Sequence, residues 1–196
     1  MAIEALYSVV PSAVFHGGTA IWRCYNGNRF SDDLDLYLRT STEVRRFRDN
    51  FSRALKRYDA EVNKASTIGD FTIMEVKKEE ATLKIEIGPA KKQLKPVERN
   101  YERADGTFLS VLTLSQEDFV YEKMHTYSRR RYIRDFYDIY HLSSLVAPDP
   151  KIRRAVRKFL QDLEDPIDEN ILPSIVYAGS VPSFEGMVNE VRRRFC

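Results

Sequence analysis

Cysteine is scarce in this chain, with two among 196 residues, which excludes a small scaffold held together by disulfides. Cys24 falls in an apolar stretch that reads as helical, where a reduced, packed thiol is expected and a disulfide is not. Glycine and proline are also sparse, at eight each, which leaves little material for flexible linkers or low-complexity tracts. No internal repeat is visible. No run approaches the roughly 18 apolar residues of a membrane span. Met1 to Val10 carries Glu4 and lacks a basic stretch followed by an apolar one, so no targeting segment, no membrane and a cytoplasmic address are expected. A large charge of one sign is missing as well: at +2 the whole molecule is not a uniformly basic nucleic-acid binder.

What is present is ordinary soluble globular material, 43% hydrophobic and 31% charged, enough for one large domain or two small, tightly joined ones. The charge is unevenly placed. From Lys123 to Lys158 ten Lys or Arg stand against Asp135, Asp138 and Asp149, which concentrates positive potential on the second half and makes a polyanion a plausible partner.

Periodicity divides the chain into a mixed α/β part over residues 1–114 and a helical part over residues 115–196. Val9 to Phe15 is short and apolar and runs into Gly17-Gly18, after which Thr19 to Asn26 reads as a short helix closed by Gly27. Asp33-Leu34-Asp35-Leu36-Tyr37-Leu38 alternates as a strand, with the leucines on one face and Asp33, Asp35 and Tyr37 on the other. Thr40 with Glu43 reads as a capping box for a helix from about Ser41 to Tyr58. Phe71 to Lys77 and Thr82 to Ile87 read as a hairpin, and residues 88 to 114 as a loop with short strands. Ser115 with Asp118 is a second capping box, opening a helix through Tyr127. Further helices are expected over about Arg134 to Leu145, after the Asp149-Pro150 start signal, and near Glu185 to Phe195.

The chemistry is concentrated in Gly17-Gly18-Thr19 and in Asp33 and Asp35. A glycine turn opening a helix lets backbone N–H groups approach phosphates, and the Thr19 hydroxyl is expected to add a donor. Two carboxylates at i and i+2 of a strand stand about 6.6 Å apart along the backbone, close enough for their side chains to converge on Mg2+. Glu86, on the polar face of its strand, is placed to supply a third. Arg29 and Ser31 read either as phosphate contacts or as supports for Asp33.

At Phe15-x-Gly17-Gly18-Thr19, Arg29-x-Ser31-x-Asp33-Leu34-Asp35, the strand Leu83-Lys84-Ile85-Glu86-Ile87, and Glu117 to Leu142 with its Glu122-Lys123 and Arg134-Asp135-x-x-Asp138, the chain resembles a known family. It is similar to the AbiEii-type nucleotidyltransferases, toxins of abortive-infection and type IV toxin–antitoxin systems that include the mycobacterial MenT enzymes. The resemblance spans roughly residues 12 to 145. It implies a nucleotidyltransferase-type α/β fold: a mixed β-sheet core with flanking helices and an α-helical C-terminal part. It further implies an NTP substrate, Mg2+ held by Asp33, Asp35 and Glu86, a triphosphate contact from Lys123, and Asp138 as the acid of the last motif, supported by Arg134 and Asp135. Members of this kind move a nucleoside monophosphate to an acceptor, for MenT-like enzymes the 3′ end of tRNA, and are checked by an antitoxin.

Each residue also has a plainer reading. Asp33 and Asp35 fit a solvated strand face, Gly17-Gly18 a common tight turn, and Glu86 a cross-strand pair with Lys84 or Lys77. Lys123 fits a solvated helical lysine, and Asp135 and Asp138 fit partners of the helix dipole or of Arg130, Arg131 or Arg134. Tyr137, Tyr140 and His141 read as packing residues. Arg129-Arg130-Arg131 and the Lys151 to Lys158 helix read equally as exposed charge or as contacts to an RNA backbone. Transfer to a protein or small molecule, and nucleotide binding without turnover, remain as rival functions.

Overall fold

A computed structural model describes residues 1–38, 41–90 and 93–196. The Thr40 and Glu43 capping box falls outside what is described: Thr40 is not among these residues, and nothing is described of the Glu43 side chain. The chain forms two compact units, one of Met1–Cys24 with Ser31–Leu114 and one of Tyr25–Phe30 with Ser115–Cys196.

The first unit is a seven-stranded mixed sheet with helices. In chain order it holds α1 (Ala2–Val9), β1 (Val14–His16), α2 (Gly17–Cys24), β2 (Leu34–Leu38), α3 (Ser41–Leu55), β3 (Glu61–Ile68), β4 (Phe71–Lys78), β5 (Ala81–Pro89), β6 (Val97–Glu102) and β7 (Phe108–Thr113). The strand order is β3-β4-β5-β2-β1-β7-β6, with β2 parallel to β5, β1 parallel to β7 and the remaining neighbours antiparallel. Alternation in β2 buries Leu34, Leu36 and Leu38, whose register partners on β5 include the buried Ile85 and Ile87. Each such side chain removed from water contributes about 1.5–3 kcal/mol, which pins the register because a one-residue slip would turn the carboxylates inward. α3 packs on β2 and β3 and buries Phe47, Phe51 and Leu55, while α2 packs on β1, β2 and β6.

The expected hairpin is β4–β5, turning at Glu79, whose φ of 53° is left-handed. Two elements go beyond the expectation. α1 was legible in the buried Ala2, Ile3, Ala5 and Leu6, whose spacing is helical. β3 is exposed along nearly its whole length, so it carries no alternation, and its ladder is supplied by β4. Cys24 is a half-buried free thiol whose pKa burial pushes up to about 12, with Arg99 opposing. Cys196 is free and exposed.

The second unit is helical: α4 (Gln116–Arg130), α5 (Ile133–Ser143), α6 (Pro150–Gln161), the short α7 (Leu172–Ile175) and α8 (Phe184–Phe195). The start signals act as the residues require. The Ser115 hydroxyl accepts from the Asp118 N–H at 3.1 Å, and Asp149 accepts from the N–H groups of Lys151 and Ile152 ahead of Pro150. α4 packs on α5 and α6, and α8 on α5 and α6, around Phe119, Tyr127, Phe136, Val156, Met187 and Phe195. Tyr25–Phe30 joins this unit through an isolated bridge between Arg29 and Val176 and through the Phe30 N–H donating to the Ile175 carbonyl at 2.7 Å. Among the described residues, no helix is long and apolar enough to cross a membrane.

Candidate functional site

In the sheet unit, Asp35 is the hub. It is the register partner of His16 on β1 and of Glu86 on β5, so its strand neighbours bring a second carboxylate directly beside it. Residues directly paired across a ladder project from the same face, so Asp35 and Glu86 share the polar face of the sheet, opposite the buried leucines. Asp33 lies just before β2, half-buried, two residues from Asp35.

Gly17 makes room for Asp35. Its φ is 75°, and a Cβ built on it would lie 1.8 Å from Asp35 Oδ2, so the carboxylate occupies the space that any other side chain would need. Asp35 is thereby held against the first turn of α2, where the helix dipole favours negative charge. The glycine turn was expected to give its room to phosphate; in this structure that room beside Gly17 is taken by the aspartate. Gly18 is buried within the same turn.

The Thr19 hydroxyl also differs from the expectation. It was read as a phosphate donor, and it donates instead to backbone carbonyls, at 2.6 Å to Asp33 and at 3.1 Å to Ser31. The cause is the buried start of α2: a hydroxyl 5% exposed must find an internal acceptor, and the returning strand offers one. Thr19 therefore ties down the segment that carries Asp33, and Ser31 enters the site through its carbonyl.

Lys84, two residues before Glu86, pairs with it through Lys84 Nζ and Glu86 Oε1, with both side chains about two-fifths exposed (42% and 43%). The Lys84 ammonium is held above its ordinary pKa by that hydrogen bond, with a smaller opposing effect of burial and further support from the charges of Glu86, Asp33 and Asp35. Lys84 thus sits on the acidic face of the sheet, paired with Glu86. Among the described residues no group of three or more His, Cys, Asp or Glu is gathered that could hold a metal ion. The carboxylates that the register brings side by side are Asp35 and Glu86, hard oxygen donors of the kind Mg2+ takes.

The helical unit holds a second, buried cluster. Arg29 grips Asp138 with two hydrogen bonds of 2.6 Å, from Nε to Oδ1 and from Nη2 to Oδ2. Lys123 Nζ lies 2.7 Å from Asp138 Oδ2 and 3.2 Å from Asp135 Oδ1, and Arg130 takes Asp135 at 2.7 Å and 2.9 Å. Burial by itself would push the Asp138 carboxyl up, but the charges of Arg29 and Lys123 and their hydrogen bonds outweigh it and hold the group below the usual carboxylate range. For Lys123, burial acts downward and Asp138 and Asp135 act upward more strongly, so the ammonium is raised and stays charged.

Lys123 is therefore not a solvated helical lysine. It is 5% exposed and its ammonium is engaged with two internal carboxylates rather than offered to solvent. Arg29, expected near phosphate or Asp33, groups with Asp138 in the helical unit, a pairing that no local sequence signal announces. Arg134 is half-buried, with its guanidinium 5.6 Å from the Tyr132 ring centre. Tyr137 packs in the core, and His141 Nε2 meets the Tyr25 carbonyl at 2.8 Å. The pairing of Glu86 with Lys84 is one of the plainer readings of the sequence; His16 was missed as a member of the polar face and is found only through the β1–β2 register.

A mixed sheet presenting paired carboxylates beside a glycine-led helix, with a helical unit following, defines a nucleotidyltransferase-type fold. The chain matches the family described as Nucleotidyl transferase AbiEii toxin, Type IV TA system, over residues 5–183, and it belongs to that family. It is thus a nucleotidyltransferase of a toxin–antitoxin family. Among solved structures it is similar to MenT4, nucleotidyltransferase toxin Rv2826c from Mycobacterium tuberculosis H37Rv, at 21% identity and TM-score 0.67, covering 100% of this chain and 80% of that one. It is also similar to JHP933 from Helicobacter pylori, at 16% identity and TM-score 0.65, covering 97% of this chain and 85% of that one. No curated protein matches it.

Proposed function

We propose that the protein transfers a nucleoside monophosphate from an NTP to an RNA acceptor, the 3′ end of tRNA first among them, in a reaction that requires Mg2+, and that it acts as a cytoplasmic growth-arresting toxin checked by an antitoxin. The observation that carries the reading is the register pairing of Asp35 with Glu86, with Asp33 two residues away and Gly17 beneath the Asp35 carboxylate. Bound there, the metal would supply charge neutralisation for the triphosphate and the developing pyrophosphate. The protein's own part is positioning: Thr19 fixes the Asp33 backbone, Gly17 admits Asp35, and Glu86 is brought in by β5.

In the helical unit, Arg29, Lys123 and Arg130 are paired with the carboxylates of Asp135 and Asp138. Asp138 holds both Arg29 and Lys123, and Arg134 lies beside Tyr132. The acceptor assignment rests on kinship and on the basic charge between Lys123 and Lys158.

The test incubates each labelled NTP with Mg2+ and total tRNA, using wild type, Asp33→Ala and Asp35→Ala. Label entering tRNA with wild type alone is the expected result. Label entering protein in RNase-treated lysate would move the acceptor elsewhere, and NTP binding without pyrophosphate release would remove turnover.

A further inference from the structure

Two residues along the strands from the acidic row runs a row of rings on the same face of the sheet. Tyr37 follows Asp35 by two residues, and Gly88 follows Glu86 by two, so the Asp35–Glu86 and Tyr37–Gly88 pairs are neighbours on one face of the β2–β5 ladder, with Leu36–Ile87 between them on the other. The His16 and Tyr37 rings are stacked, with centroids 3.7 Å apart and planes within 5°. On the far side of Gly88, Phe71 reaches in from β4: a Cβ built on Gly88 would lie 2.8 Å from Phe71 Cε1 and 3.7 Å from Tyr37 Cδ1. The missing side chain at 88 is what lets both rings close over the strand.

These rings are not sealed into a core. Phe71 is 56% exposed, and His16 and Tyr37 are half-buried. An exposed aromatic row beside paired carboxylates is poor material for stability, because its apolar area stays in water. It is good material for a flat π-system. A nucleotide offers such a system at one end and its phosphates at the other, and aromatic platforms bind bases of any sequence by stacking.

We infer that His16, Tyr37, Gly88 and Phe71 form a nucleobase-stacking subsite, seating the base of the nucleotide whose phosphates lie at Asp35 and Glu86. The subsite rests on the carboxylate reading given above. It binds through the π-face, so its discrimination among the four bases is weak.

The experiment titrates wild type, Tyr37→Leu and Phe71→Leu by calorimetry in Mg2+ with three probes: an NTP, inorganic tripolyphosphate and a short single-stranded RNA. Each leucine keeps apolar bulk and removes the ring, and Phe71 is exposed enough that its loss leaves the fold intact, which a thermal melt checks. The expected result is an NTP affinity lowered about tenfold in each variant with tripolyphosphate unchanged. RNA affinity lowered with NTP unchanged would assign the rings to an acceptor base instead and overturn the subsite as stated. Variants that bind all three probes as wild type does would overturn the subsite while leaving the carboxylates in place. A wild type that binds neither NTP nor tripolyphosphate would overturn the carboxylate reading, and the subsite with it.

Discussion

The Asp35 carboxylate sits where a side chain of residue 17 would have to be, with Oδ2 only 1.8 Å from the position of a Gly17 Cβ. Glycine is required there twice over, by the close approach and by a φ of 75°. Gly17→Ala is expected to cost about 1–3 kcal/mol in stability and to displace Asp35. Urea denaturation reads the first effect, and nucleotidyl transfer reads the second; an alanine variant of unchanged stability and rate would show that the contact is dispensable.

Thr19 makes a separable prediction. Thr19→Val keeps the shape but leaves the Asp33 carbonyl without its donor, at about 1–3 kcal/mol, and it loosens the segment bearing Asp33. Thr19→Ser restores the hydroxyl and is expected to recover most of both stability and rate. Rescue by serine in a side-by-side melt and transfer assay is the decisive comparison.

Asp35→Asn and Glu86→Gln are expected to lower transfer at least about a hundredfold, since each removes charge from the place where it is needed in the transition state. Stability should shift by no more than about 0.5 kcal/mol, because these half-exposed carboxylates repel one another and are not core. Loss of activity together with loss of fold would point to a structural role.

With Glu86 as a ligand of the proposed divalent ion, Lys84 would compete for it. Lys84→Met is expected to tighten Mn2+ binding about two- to fivefold, the scale of an exposed ion pair, as measured by calorimetry in the presence of NTP. Weaker binding in the variant would instead make Lys84 a contributor to the anionic ligand's site.

The Arg29–Asp138–Lys123 cluster carries a pH signature. The folded Asp138 carboxyl is depressed, so its contribution to stability is present above the ordinary aspartate value near 3.9 and is lost as pH falls through the folded value. The raised Lys123 ammonium contributes below about pH 10.4 and its contribution is lost as pH rises through its folded value. Asp138→Ala leaves Arg29 buried without its carboxylate and Lys123 with Asp135 alone, and is expected to cost about 3–5 kcal/mol at neutral pH, with a smaller penalty below pH 4. Thermal melts of wild type and variant from pH 3 to 8 would show the gap narrowing toward acid; a constant gap would contradict the assignment.

Much of this was written in neighbouring residues. The alternation of Asp33 to Leu38 separates leucines from carboxylates because strand side chains alternate, and the capping residues Ser115 and Asp149 mark helix starts because the first N–H groups of a helix need acceptors. Such features depend on contacts two to four residues apart, which the order of residues alone settles. The pairing of Asp35 with Glu86, the burial of Lys123 between Asp135 and Asp138, the capture of Arg29 by Asp138 and the meeting of Phe71 with Tyr37 over Gly88 depend on which strands and helices become neighbours. Register and packing decide those, because they are set by the burial of whole faces rather than by any local pattern.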